Sequence, residues 1–150
     1  MRIEEEIQQK EFRNEYQKIS INLVYTANWL TDKQRKFFDR YDITTKQYNV
    51  LRILKGQYPE RISTSEIRER MLDKSSDTSR IVDRLTAQNL VTKQACPSDK
   101  RLVDVGISEK GLKLLEIIDA NIQGLDHLIS TITLVEAKDL NILLDKIRGK

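Results

Sequence analysis

From residue 12 onward apolar side chains recur at spacings of three and four. Phe12, Tyr16, Ile19, Leu23, Ala27 and Leu30 make one stripe, the pattern of an amphipathic helix. Residues 1–55 contain no Pro or Gly, so nothing local forces a break, and the first 40 residues predict one long helix or two joined ones. The stripe is lost over residues 37–42. Thr44 and Gln47 then have capping-box spacing and open a helix through Tyr48, Leu51 and Leu54 that stops at Gly56. Ser63 and Glu66 repeat the box ahead of a short helix with Ile67 and Met71 facing inward. Ser75, Ser76 and Asp77, all good N-cap types, lead into a helix over 75–88. It carries Ile81, Val82 and Leu85 on one side and Arg80 with Arg84 on another. Two helices across a short turn fit a helix-turn-helix, a pattern that helix pairs in bundles share.

The next segment separates those readings. Residues 90–96 have strand-like composition, and 102–107 alternate apolar and polar positions. Between them Pro97, Ser98, Asp99, Lys100 and Arg101 supply turn chemistry. A β-hairpin directly after a helix-turn-helix makes a winged helix, with Lys100 and Arg101 at the tip suited to a minor groove. Helix returns at Ser108, whose run keeps its stripe from Leu112 through Leu115, Ile118, Ile122 and Leu125 to Ile129. Thr133 and Glu136 box a last helix carrying Leu140, Leu143, Leu144 and Ile147. The two ends carry more apolar stripe than a lone winged helix can cover. A monomeric bundle would use it, and so would a dimer built from both termini, which the excess favours.

Charge sharpens the division. The net charge of the 150 residues is only +3, but residues 30–101 hold 16 Lys and Arg against 10 Asp and Glu, and the flanks hold 10 against 13. A basic middle is what a phosphate-binding surface requires; a solvated face of uneven charge has the same composition. No stretch approaches the ~20 apolar residues of a membrane span, and the N-terminus has no apolar signal segment, so the expectation is a cytoplasmic protein without a membrane partner. A single cysteine, Cys96, excludes an intrachain disulfide framework. His127 has no second His or Cys beside it, and Asp119 and Asp126 make no tight cluster with it, so no metal is expected. No phosphate loop, nucleophile elbow or other catalytic pattern is present. The expectation is therefore neither an enzyme nor a cofactor protein.

The order of elements and several motifs resemble the MarR family of bacterial transcription regulators, over nearly the whole chain. The resemblance is strongest from Ile43 to Gly111. Residues 75–85 look like the family's recognition helix, Asn89, Leu90 and Val91 like the lead into its wing, and Asp99, Lys100 and Arg101 like the wing tip. Ile107, Ser108, Glu109, Lys110 and Gly111 look like the return to helix. Asn89 stands where the family pattern has Gly; Asn also tolerates a left-handed cap. The resemblance implies a cytoplasmic homodimer on pseudo-palindromic operator DNA, repressing by promoter occlusion and often released by a small ligand or oxidant.

Within that frame Ser75, Ser76, Asp77, Ser79 and Arg80 face base edges or phosphates, Arg80 being able to grip guanine bidentately. Arg84 supports phosphate or structure. Ser76, Arg80 and Arg84, spaced by four, share a helix face. The bland alternative is a solvated face with ion pairs such as Asp77 with Arg80. Arg101 fits a narrow minor groove, with Lys100 beside it, and Asp99 pins the Arg101 guanidinium. Cys96 reads as a small strand residue rather than a redox sensor. Tyr25, Trp29, Phe37, Phe38 and Tyr48 read as core rather than as the lining of a ligand cavity.

The fold expected is mainly α: a winged helix-turn-helix DNA-binding lobe over 44–107 and a helical dimerisation part from 1–43 and 108–150. The function expected is a homodimeric, sequence-specific regulator of transcription on double-stranded DNA, with a small-molecule effector as a further partner. The rival is a helical protein-interaction module or anti-repressor that keeps the fold without binding DNA.

Overall fold

The computed structural model describes residues 2–95 and 103–149. Helices α1 (Ile3–Glu6) and α2 (Glu15–Phe38) lead through a 3-10 turn at Asp39–Tyr41 to α3 (Thr45–Gln57). Strand β1 (Ile62–Ser63) precedes α4 (Thr64–Arg70) and α5 (Thr78–Ala87). Strands β2 (Val91–Ala95) and β3 (Val103–Ile107) follow, then α6 (Glu109–Asp119), α7 (Gln123–Asp126) and α8 (Leu134–Ile147). The sheet order is β1-β3-β2, all antiparallel, with Ile62 opposite Val105 and Val91 opposite Ile107. This is a mainly helical winged-helix fold. Among the described residues no helix is long and apolar enough to cross a membrane.

The core sits under the helix-turn-helix. Val50, Leu51, Leu54, Ile67, Val82, Leu85, Val105, Leu115 and Ile118 are all fully buried in it. Leu51 and Leu54 on α3, Val82 and Leu85 on α5, and Leu115 and Ile118 on α6 keep the three- and four-residue spacings of their stripes. The capping boxes at Thr44–Gln47, Ser63–Glu66 and Thr133–Glu136 all form, and Ser108 accepts from the Gly111 amide to cap α6. Each cap satisfies a backbone donor that has no partner inside its helix.

Helix α5 ends in a Schellman turn. Asn89 takes the left-handed φ of 58°, the Asn89 amide donates to the Thr86 carbonyl and the Leu90 amide to the Leu85 carbonyl. Asn therefore does here what Gly does in the family pattern.

Four sequence expectations are corrected. The first 40 residues are neither one helix nor two joined ones: α1 stops at Glu6, Gln8 has φ 54°, and α2 begins only after Asn14, whose side chain caps the Gln17 amide. A left-handed Gln8 ends the first helix where no Pro or Gly does, and the polar cap at Asn14 starts the next. Gly56 does not stop α3, which continues to Gln57 and ends at Tyr58 before Pro59. The stripe from Leu112 to Ile129 is broken: α6 ends at Asp119, and turns separate it from α7. Tyr25 and Trp29 are not core, being exposed on α2, whereas Phe38 is buried and stacks on Tyr48 at 4.3 Å. Strand β1 had no sequence signal, because two residues cannot show a period.

Candidate nucleic-acid interface

The turn between α4 and α5 is organised by Asp73. Its carboxylate accepts from the Ser75 amide at 2.9 Å and the Ser75 hydroxyl at 2.6 Å, and pairs with Lys46 of α3 at 2.8 Å. Lys46 foremost, then the Ser75 donors, hold the Asp73 carboxyl well below the usual aspartate range. The Leu72 amide donates to the Asn49 side chain, a second tie from the turn to α3. Geometry that polar side chains impose on so short a turn sets how α5 stands on the lobe.

Helix α5 starts at Thr78, with Asp77 as its N-cap accepting from the Arg80 amide at 3.2 Å. Asp77 also pairs with the Arg80 guanidinium at 3.3 Å, both side chains being largely exposed. Ser75 and Ser79 are exposed and Arg84 lies one turn beyond Arg80 on the outer face. Ser76 departs from the sequence reading. It precedes the helix, is only 6% exposed, and does not share the outer face with Arg80 and Arg84. The helical spacing of four was counted from a residue that is not yet helical. The structure thus leaves Ser75, Asp77, Ser79, Arg80 and Arg84 exposed, while Ser76 is largely buried at the floor of the cavity that Asp77 and Ser79 also line.

That surface has members that the sequence reading missed. Thr64, Ser65 and Arg68 of α4 line an open cavity of about 460 Å³ together with Ser76, Asp77, Thr78 and Ser79. Arg68 and Arg84 have no carboxylate within 4.0 Å among the described residues, in contrast to Lys93, which pairs with Asp83. The signal for Arg68 was available: it sits one turn into a capped helix, away from inward Ile67. Arg61 lies across the sheet, with its guanidinium donating to the Thr92 carbonyl and its stem against Gly106; no local pattern marks it. Asp99, Lys100, Arg101 and Cys96 lie outside the described residues, although β2 and β3 pair in register up to Ala95 and Val103 on either side.

Neither remaining candidate gains a ligand set. His127 is exposed, and Asp119 is held by Arg52 at 3.0 Å and Lys55 at 3.1 Å, an ion pair that fastens α6 to α3. Among the described residues no group of three His, Cys, Asp or Glu side chains is placed to hold a metal ion.

Comparison with known proteins gives one answer. Residues 41–102 match the model of the MarR family. The HTH-type transcriptional regulator MhqR of Bacillus subtilis is 26% identical over 133 residues, covering 87% of this chain and 89% of the relative. The MarR transcription factor of Planctomyces limnophilus superposes with a TM-score of 0.71 at 25% identity, over 93% of this chain and all of that one. A mutant MarR of E. coli complexed with operator DNA superposes at 0.79 and 24% identity, over 92% and 99% of the two chains. The MarR-family pattern thus lies on residues 41–102, and the chain as a whole is similar to MarR-family transcriptional regulators in sequence and in its winged-helix fold.

Proposed function

We propose that the protein is a cytoplasmic repressor that binds a pseudo-palindromic operator as a homodimer, each subunit reading one half-site, and leaves it when a small-molecule effector binds. In this reading 44–107 is the DNA-binding lobe, and 1–43 with 108–150 the dimerisation part. The N-terminal half of α5 enters the major groove with Ser75, Asp77, Ser79 and Arg80. Arg84 serves a phosphate, and Lys100 with Arg101, oriented by Asp99, reaches the minor groove. Ser76 supports the turn from below instead of touching bases.

One observation carries the reading. The solvent face of α5 is polar and open while its other face is anchored by Val82 and Leu85, so a rigid, capped helix presents Arg80 outward. The E. coli MarR that shares this fold was solved on operator DNA. Dimerisation is supported by the termini. α8 buries none of its residues, and Ile19, Leu23, Ala27 and Leu30 of α2 form an apolar groove with Leu140 and Leu144. Half-sites then lie about one helical turn apart.

The test is selection of bound duplexes from a random library, followed by titration of the selected duplex across salt. Binding through six or more phosphates falls roughly a thousandfold between about 50 and 200 mM salt. A flat salt profile with no selected sequence would instead describe a protein-interaction module.

A further inference from the structure

Gln88, the C-cap residue between the last turn of α5 and the left-handed Asn89, joins four elements at one point. Its side-chain amide donates to the Asp42 carbonyl at 3.0 Å, in the turn that links α2 to α3. Its side-chain oxygen accepts from Gln47 of α3 at 3.1 Å. Its main-chain carbonyl accepts from the Lys110 ammonium of α6 at 2.9 Å. Gln47 is itself buried and committed at its other end, where its oxygen accepts from the Thr44 amide as half of the capping box. Asp42 holds a left-handed φ of 56°, which sets the direction of the carbonyl that Gln88 reaches. None of these bonds is needed to bury the core, since Val82 and Leu85 already pack the inner face of α5.

From this juxtaposition we infer that Gln88 is a positioning residue: it sets the angle of the recognition helix against α2, and through that angle the half-site spacing the dimer accepts. The inference rests on the homodimeric DNA-binding reading above. Helix α5 has ten residues and is therefore about 15 Å long. Arg80 and Ser79 stand at the end opposite Gln88, so the helix is a lever held at one end and read at the other. A tilt of about 10° about its C-terminal end moves the N-terminal end by ~2.5 Å at a rise of ~1.5 Å per residue. Base-edge hydrogen bonds tolerate only a few tenths of an ångström. Two recognition helices must also meet half-sites ~34 Å apart together, so an error in one angle appears as an error in spacing. Apolar packing of Val82 and Leu85 resists translation of α5 but leaves rotation about its contact line comparatively soft, because dispersion contacts have no direction. Directional bonds at Gln88 remove that freedom.

Two variants separate positioning from folding. Gln88→Met keeps the length of the side chain and loses both of its bonds. Gln47→Glu keeps the capping box, in which Glu is a usual partner, and turns the donor to Gln88 into an acceptor; it also buries a charge, whose cost to folding the melting control registers. Each is titrated against the selected operator, the same operator with one base pair inserted or removed between half-sites, and a random duplex, with thermal melting as the control for folding. The expected result is a roughly tenfold loss on the operator for Gln88→Met, which gives up two neutral hydrogen bonds, and a loss in the same direction for Gln47→Glu. Affinity for random duplex stays unchanged, and discrimination against the altered spacings shrinks in both variants. Parent-like spacing profiles in both folded variants would overturn the inference, as would equal losses on operator and random duplex. If the parent itself shows no preference for a selected duplex, the DNA-binding reading fails instead.

Discussion

The α carbon of Gly111 stands against the main-chain oxygen of Leu90: a Cβ at position 111 would lie 2.3 Å from it and 2.8 Å from the side chain of Ile107. Two bonds hold the approach. The Ser108 amide donates to the same Leu90 oxygen at 3.1 Å, and the Ser108 hydroxyl donates to the Asn89 oxygen at 2.8 Å. The first turn of α6 thus packs backbone to backbone on the exit of α5. Only a residue without a side chain fits there.

Gly111→Ala should therefore destabilise the fold by about 1–3 kcal/mol, the usual cost of overpacking a site that cannot give way. Ser108→Ala should cost about 1 kcal/mol for the lost cap. Urea denaturation of both variants checks the order, and a Gly111→Ala protein as stable as the parent would show that α6 can move away from Leu90.

The wing and the recognition helix should fail differently. Arg80→Ala should weaken the operator by roughly 1–3 kcal/mol and leave random duplex nearly untouched. Arg101→Ala should weaken both together and lower the salt slope by about one. Asp99→Ala should resemble a milder Arg101→Ala. Asp77→Ala should lose the cap of α5 as well as the Arg80 pair, so its melting temperature should fall with its affinity.

Acid should loosen the turn before α5. The Asp73 carboxyl is held below its ordinary value of 3.8 by Lys46 and Ser75. A carboxylate whose folded pKa is depressed contributes stability above the unfolded pKa and loses it as pH falls toward the folded one. Asp73→Asn should thus be less stable than the parent at neutral pH, and the gap should close progressively below about pH 4. Denaturant midpoints of both proteins across that window decide it; a constant gap would exclude the linkage.

Charge placed in the α2–α8 groove should split the dimer. Leu140→Glu and Leu144→Glu each put a carboxylate where an apolar partner surface is expected. Sedimentation should move from a dimer to a species near 17.6 kDa. Loss of the operator with retention of weak random-duplex binding should accompany it. A parent that already sediments as the monomer would refute the dimer.

Local chemistry determined much of this protein in advance. Capping boxes at Thr44, Ser63 and Thr133, the Ser108 cap, the stripes of α3, α5 and α6, and the left-handed Asn89 all depend on residues three or four apart, so their spacing in the chain is their spacing in space. The hairpin and the polar outer face of α5 were legible for the same reason. Tertiary structure decided what no window of neighbours contains. Ser76 sinks below the surface because the turn wraps around Asp73, which Lys46 holds from 27 positions earlier in the chain. Tyr25 and Trp29 keep an apolar character that this single chain does not bury. Arg68 joins the face of α5 because α4 packs beside it. Gln88 meets Asp42 and Gln47 across 46 and 41 positions. Those contacts arise only when the core has closed and set the helices at their angles, and hydrogen bonds between distant polar side chains leave no periodic trace in the sequence.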